Sequence, residues 1–302
     1  MKGNTVRSES DFITNLPNNI IDNILGCLPL RDVVRTSILS REWRYKWTSC
    51  PDIVFDFWFD QMFLGGHKLE PLIYQILKLH KGPLLKFALQ VPDLKSNPDI
   101  DQWVRLLPNN TLQDLTLHVS RGETHNLTSH LFTFQHFRNL KLYNCVFDPI
   151  PGFKGFNKLV NLELQRVALC ARNLREDLVE HGAPEKLPVS LNMLKTLHLS
   201  DMYFEKIEET SCAICFIRSC PNLQRLKITA FTFDVVDSVA DFLRSQRSSE
   251  SLTQLKTVKM QLFSGIEAEM EFVKYLLASA TALEEMTITP TPVALPMEES
   301  RY

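Results

Sequence analysis

A chain of 302 residues with a formal charge of −2 lacks the basic excess that general nucleic-acid binding requires. It has no apolar run of about eighteen residues, the length that spans a bilayer, so a membrane-embedded role is not expected. Its 44% hydrophobic and 23% charged residues suit one or two ordinary soluble domains. Seven cysteines behind a polar start, MKGNTVRSESD, predict reduced thiols in an intracellular chain, cytoplasmic or nuclear.

Residues 1–10 are polar and are expected to form a flexible tail; the first structured segment is expected over residues 11–50. Leu16-Pro17 opens a helix, with Pro at the first helical position where its missing N–H costs nothing. Ile20, Ile21, Ile24, Leu25 and Leu28 recur at three- and four-residue spacing and form one broad apolar face. Leu28-Pro29 ends that helix and begins a short second one carrying Val33, Val34 and Ile38. Ser40 is placed to cap a third, with Trp43 and Trp47 on one side of it. So short a segment cannot bury this many large side chains within itself, so some must face the rest of the chain or another protein.

The pattern Leu16-Pro17, Ile20, Ile24-Leu25, Leu28-Pro29, Asp32, Arg35, Ser37, Leu39-Ser40-Arg41, Trp43-Arg44 and Trp47 resembles an F-box of the plant type. The chain as a whole resembles the plant F-box/FBD/leucine-rich-repeat family. That resemblance implies docking on a Skp-family linker and, through it, on a cullin–RING ubiquitin ligase. The linker-facing residues it implies are Leu16, Pro17, Ile20, Ile24, Leu25, Leu28, Pro29, Val33, Leu39 and Trp43. Trp47 has a second possible role, anchoring the F-box on the repeats through Ile53 to Phe59.

After residue 50 the pattern apolar-x-x-apolar-x-apolar recurs eight times, with first positions Leu84, Leu112, Phe137, Leu159, Leu194, Leu223, Leu255 and Leu283. The intervals run from 22 to 35 residues. Helical spacing fills the gaps: Leu72, Ile73, Ile76 and Leu77; Trp103, Val104 and Leu107; Val235, Val236, Val239, Phe242 and Leu243; Phe272, Val273, Leu276 and Leu277. Each repeat is therefore a strand plus a returning helix or loop, and neighbours must stack to cover one another. The expected fold class is α/β: a three-helix F-box, leucine-rich repeats over 51–222, and final repeats over 223–289 that resemble the FBD region, the repeats forming an irregular solenoid. Residues 290–302, rich in Pro, are expected to be a flexible tail. The long interval from Leu159 to Leu194 includes a charged stretch, Arg172 to Glu180, expected as a solvated helix, and a turn at Gly182-Ala183-Pro184. It raises the question of whether a repeat is missing there and whether the stack is continuous.

Cys212-Ala213-Ile214-Cys215 with Cys220 has the spacing of half a metal site, but no second pair lies nearby and the segment is apolar, so buried structural cysteine is expected. The eight histidines form no HxH or HExxH pattern, and no catalytic or phosphate-loop motif is present, so no chemistry, cofactor or metal is expected of the chain itself; the resemblance implies a non-catalytic adaptor. On the outward side of successive strands the middle position is Thr116, Lys141, Glu163, His198, Lys227, Lys259 and Thr287. Lys227 and Lys259, with Arg225 and Lys256 close by, suggest a basic patch that receives an acidic or phosphorylated segment. Lys141, Tyr143 and His198 complete the candidate target-binding set. The implied function is capture of a protein target on this wall for ubiquitination by an SCF-type ligase; a non-degradative scaffold, a ligand-dependent receptor and a shortened family member are the alternatives.

Overall fold

Eight carbonyls, of Pro51, Leu85, Gln113, Arg138, Val160, Lys195, Gln224 and Lys256, each accept two consecutive N–H groups from the repeat that follows, at 2.7–3.1 Å. This shared bond pattern sets the register of the computed structural model, which describes residues 16–41, 43–59, 69–92, 94–169, 185–231, 237–246 and 252–292. Among them, nine parallel strands form one sheet: β1 (Asp52–Phe55), β2 (Lys86–Leu89), β3 (Asp114–His118), β5 (Asn139–Tyr143), β7 (Asn161–Gln165), β9 (Thr196–Met202), β10 (Arg225–Ala230), β11 (Thr257–Phe263) and β12 (Glu285–Pro290). That order is also chain order, so each repeat lies against the one before it. Three short strands, β4 (His125–Asn126), β6 (Cys145–Phe147) and β8 (Ala168–Leu169), pair in a second parallel sheet. The sequence pattern did not anticipate it.

Helices α1 (Asn18–Gly26) and α2 (Leu30–Arg35) precede the sheet, and α3 (Leu69–Leu79), α4 (Pro98–Leu106), α5 (Ile207–Arg218), α6 (Asp237–Ser245) and α7 (Glu267–Ser279) return between strands. One continuous core joins the apolar faces of α2 to α7 to the inward residues of the strands. The first apolar position of seven of the eight repeats, Leu84 to Leu255, is at most 1% exposed. The eighth differs: Leu283 and Met286 are half-buried and Ile288 is exposed, because β12 is the edge strand of the sheet among the described residues. The α/β class expected from the sequence stands.

Several local expectations change. Pro17 and Pro29 sit one residue before α1 and α2 as extended N-caps, with φ near −57° and ψ near 145°, rather than inside the first turn. The third F-box element is a 3-10 segment, Trp43–Ser49, not an α-helix; Ser40 caps it, its Oγ accepting from the Trp43 N–H at 3.3 Å. Leu277 lies outside the α7 stripe and is exposed, whereas Tyr275 is buried. Pro290 closes β12, and the Thr291 N–H donates to the Phe263 carbonyl at 3.0 Å, so the ordered chain passes the expected start of the tail. β7 pairs directly with β9 from Asn161↔Thr196 to Gln165↔Ser200, so the sheet is continuous across the long interval. The helix expected at Arg172 to Glu180, the turn at Gly182 to Pro184, Val235, Val236 and both expected tails (beyond Pro292 at the C-terminal end) lie outside the described residues.

β1 is a ninth strand beyond the eight the pattern predicts, and Cys50-x-x-Ile53-x-Phe55 follows the same spacing with Cys in the first position. Four repeats also share a left-handed backbone position. Asn144, Arg166, Asp201 and Leu262 all have φ between 51° and 56°, and each lies seven residues after its repeat's first apolar position.

Candidate partner-binding surfaces

The broad apolar face of α1 divides into two faces in the fold. Ile21 and Leu25 turn inward and pack with Val33, Trp43 and Cys50 into a small core, with Leu16 and Trp47 half-buried against it. Ile20, Ile24 and Leu28, four residues apart, stay outside at 39%, 41% and 37% exposure. Pro17, Pro29, Ile38 and Leu39 are exposed as well, Ile38 by 86%. Such a concentration of exposed branched aliphatic groups on so short a segment makes it a candidate interaction surface. Of the implied linker-facing residues, Pro17, Ile20, Ile24, Leu28, Pro29 and Leu39 therefore face solvent, Leu16 borders the small core, and Leu25, Val33 and Trp43 form the interior that holds the others in place.

This surface is rigidly tied to the repeats. Leu30 belongs to the main core, and Trp47 packs against both cores, the anchoring role read from its position. The Thr48 carbonyl accepts from the N–H groups of Lys81 and Gly82 at 2.8 and 3.3 Å, and His80 Nε2 meets the Cys50 carbonyl at 2.8 Å. A Cβ on Gly82 would lie 2.7 Å from the Ser49 carbonyl oxygen, so only glycine fits this approach.

The second surface is the face of the large sheet turned away from the core. The middle outward positions read from the sequence form a single cross-strand row, Thr116↔Lys141↔Glu163↔His198↔Lys227↔Lys259↔Thr287, which Ala88 of β2 extends. A recess of about 520 Å³ lies over it, from Val54 and Ala88 at one end to His198 and Lys227 at the other. Two residues earlier on each strand runs a polar row that the sequence reading did not single out: Asn139 Nδ2 donates to Asp114 Oδ1 at 2.5 Å and Asn161 Nδ2 to Asn139 Oδ1 at 2.6 Å. Arg225 extends it, donating twice to Thr196 Oγ1 at 3.2 and 3.0 Å. The repeat pattern itself could have found this row, since outward positions alternate along a strand.

Charge on this face is largely paired. Lys141 Nζ lies 2.7 Å from Glu163 Oε2, and His198 Nδ1 lies 3.3 Å from Glu163 Oε1. Ser200 Oγ meets the other ring nitrogen of His198 at 2.8 Å. Hydrogen bonds from His198 and Lys141, against a smaller opposing effect of burial, hold the Glu163 carboxyl down at about 2. Tyr143 lies against His118, ring centroids 3.9 Å apart and planes tilted by 48°, and burial pushes the His118 imidazole below its ordinary pKa. Lys256 meets Glu284 at 2.8 Å. Lys227 and Lys259 are register partners with no ion-pair partner among the described residues.

The remaining candidate groups are interior. Cys212, Cys215 and Cys220 are buried, and burial raises all three thiols, Cys215 to about 12. Among the described residues no group of three His, Cys, Asp or Glu side chains is arranged to hold a metal ion, and no helix is long and apolar enough to cross a membrane. His125, also buried, touches Ser96 Oγ through Nδ1 at 3.0 Å and faces Asp101 at 3.5 Å; burial lowers its pKa despite that carboxylate.

Three family models match the chain in succession: the F-box domain over 13–54, the LRR repeats of "FBD-associated F-box protein At5g56370" over 100–181, and FBD over 251–288. Among curated Arabidopsis thaliana proteins, the F-box/FBD/LRR-repeat protein At1g13570 is 27% identical over 382 aligned residues, covering 92% of this chain and 91% of the relative. The F-box/FBD/LRR-repeat protein At3g52680 is 26% identical over 88% of this chain but only 50% of its own length. A putative F-box/FBD/LRR-repeat protein, At5g52460, is 31% identical over 58% of this chain and 44% of its own. This chain thus spans nearly all of one relative and about half of the other two.

Proposed function

This chain belongs to the plant F-box/FBD/leucine-rich-repeat family, and from that premise we propose that it is the substrate-recognition adaptor of an SCF-type ubiquitin ligase. The observation that carries this reading is the exposed row Ile20, Ile24 and Leu28, flanked by Pro17, Pro29 and Leu39, inside the segment matched as an F-box. These side chains form the Skp-linker contact, while Leu25, Val33 and Trp43 hold the helices at the right angle beneath them. The stack of nine strands acts as a leucine-rich-repeat solenoid whose outward face captures a protein target. Its contribution is proximity: it raises the effective concentration of target beside the ubiquitin-charged partner and supplies no catalytic group. A ligand-dependent receptor is the second reading, favoured by the recess of about 520 Å³, a volume within the usual range for small-molecule sites.

The test is a purified binding assay between the full chain and a plant Skp-family linker. Leu28→Ala, outside the small core, should weaken binding by about 2 kcal/mol if it is a central contact, with the fold intact. Trp43→Ala should instead unfold the F-box, at about 3–5 kcal/mol, and lose binding with it. No binding by folded wild-type chain would refute the adaptor reading.

A further inference from the structure

We propose that a phosphoryl group on a captured polypeptide seats between Lys227 and Lys259 on the outward face of β10 and β11. That the ligand is a polypeptide rests on the adaptor reading; the anion chemistry rests on the geometry alone. The two lysines are register partners on adjacent parallel strands, so their backbones are about 4.8 Å apart and their side chains leave the same face. Cations directly opposed across strands repel one another. Elsewhere this face avoids such contacts: Lys141 and His198 share the Glu163 carboxylate. The neighbouring Glu285 carboxylate accepts from the Thr287 hydroxyl at 3.0 Å. Lys227 and Lys259 are the uncompensated pair among the described residues, on a chain whose net charge is −2.

An anion between them converts that repulsion into two charge-assisted hydrogen bonds. Arg225 adds a third cation, two residues earlier on the face of Lys227. Its Nε and one terminal nitrogen donate to Thr196 Oγ1, which fixes the guanidinium and leaves its other terminal nitrogen free to donate. Two ammonium groups and a guanidinium edge suit a dianion with three acceptor oxygens; a single carboxylate would balance only part of this charge. Lys259 and Arg225 are exposed and Lys227 is half-buried at the end of the recess, so a group carried on an extended segment reaches all three from solvent.

The experiment labels the lysines of the full chain by reductive 13C-methylation. It titrates the chain with Ac-Gly-Ala-phosphoSer-Ala-Gly-amide, the unphosphorylated peptide, its Asp counterpart and inorganic phosphate. The expected result is a saturable shift of the Lys227 and Lys259 signals with the phosphopeptide, about tenfold weaker in Lys227→Ala or Lys259→Ala. Equal response to the unphosphorylated peptide, no saturable response, or binding unchanged in both variants overturns the proposal. Inorganic phosphate binding as tightly as the phosphopeptide overturns its polypeptide part. Linker binding measured on the same sample separates the two readings: linker bound without a peptide response defeats only this inference, and a peptide response without linker binding defeats only the adaptor reading.

Discussion

Asn144, Arg166, Asp201 and Leu262 show how one backbone requirement is met by different side chains. All four hold φ between 51° and 56°, Asn144 and Arg166 just past the end of their strands and Asp201 and Leu262 one residue before the end of theirs. Asn and Asp tolerate this region, whereas a branched residue there is strained. Asn144→Val should therefore cost about 1–3 kcal/mol in urea unfolding. Leu262→Gly should be far milder, since relief of strain offsets the entropy lost with glycine. Glu163 makes the residue-scale prediction for pH. Its carboxyl is held at about 2 against an ordinary 4.5, so its contribution to stability is complete above pH 4.5 and is lost as pH falls toward 2. The stability difference between wild type and Glu163→Gln should therefore shrink between pH 5 and pH 2, as measured by denaturant unfolding at each pH.

At the scale of elements, the junction between F-box and repeats is the decisive contact. Leu30 and Trp47 join the two cores, and the Ser49 backbone packs directly on Gly82. Gly82→Ala forces backbone atoms apart and should cost on the order of 2 kcal/mol, read as a lowered Tm. The division of α1 into a buried and an exposed face follows from the same docking. A helix this short shows both faces as apolar in its sequence, and only the position of Val33, Trp43 and Cys50 decides which side is covered.

Across the whole molecule, each repeat touches its neighbours along the chain, so whole repeats can be lost without disturbing the register of the rest. The alignment with At1g13570 spans 382 residues, more than the 302 of this chain, so that relative contains sequence this chain lacks; the sheet is nonetheless unbroken from β7 to β9. The F-box lies at the β1 end of the sheet, while Lys227 lies six strands further on, about 29 Å away at the usual strand spacing. With one continuous core between them among the described residues, occupation of one surface should change affinity at the other less than about twofold. Calorimetric titration of the phosphopeptide with and without the Skp linker measures this.

What the sequence determined by itself is what local periodicity encodes. The apolar-x-x-apolar-x-apolar pattern placed eight strands, and the same pattern located the outward row from Thr116 to Thr287 that the structure aligns in one register. Only the tertiary structure decided which apolar residues remain outside, Ile20, Ile24 and Leu28 rather than Ile21 and Leu25, because burial depends on what packs against a face. It also decided which charges are spent. Lys141, Lys227 and Lys259 are equivalent in the sequence pattern. Glu163 neutralises the first from the neighbouring strand, while the other two face each other, because pairing is set by which strands are adjacent rather than by position along the chain.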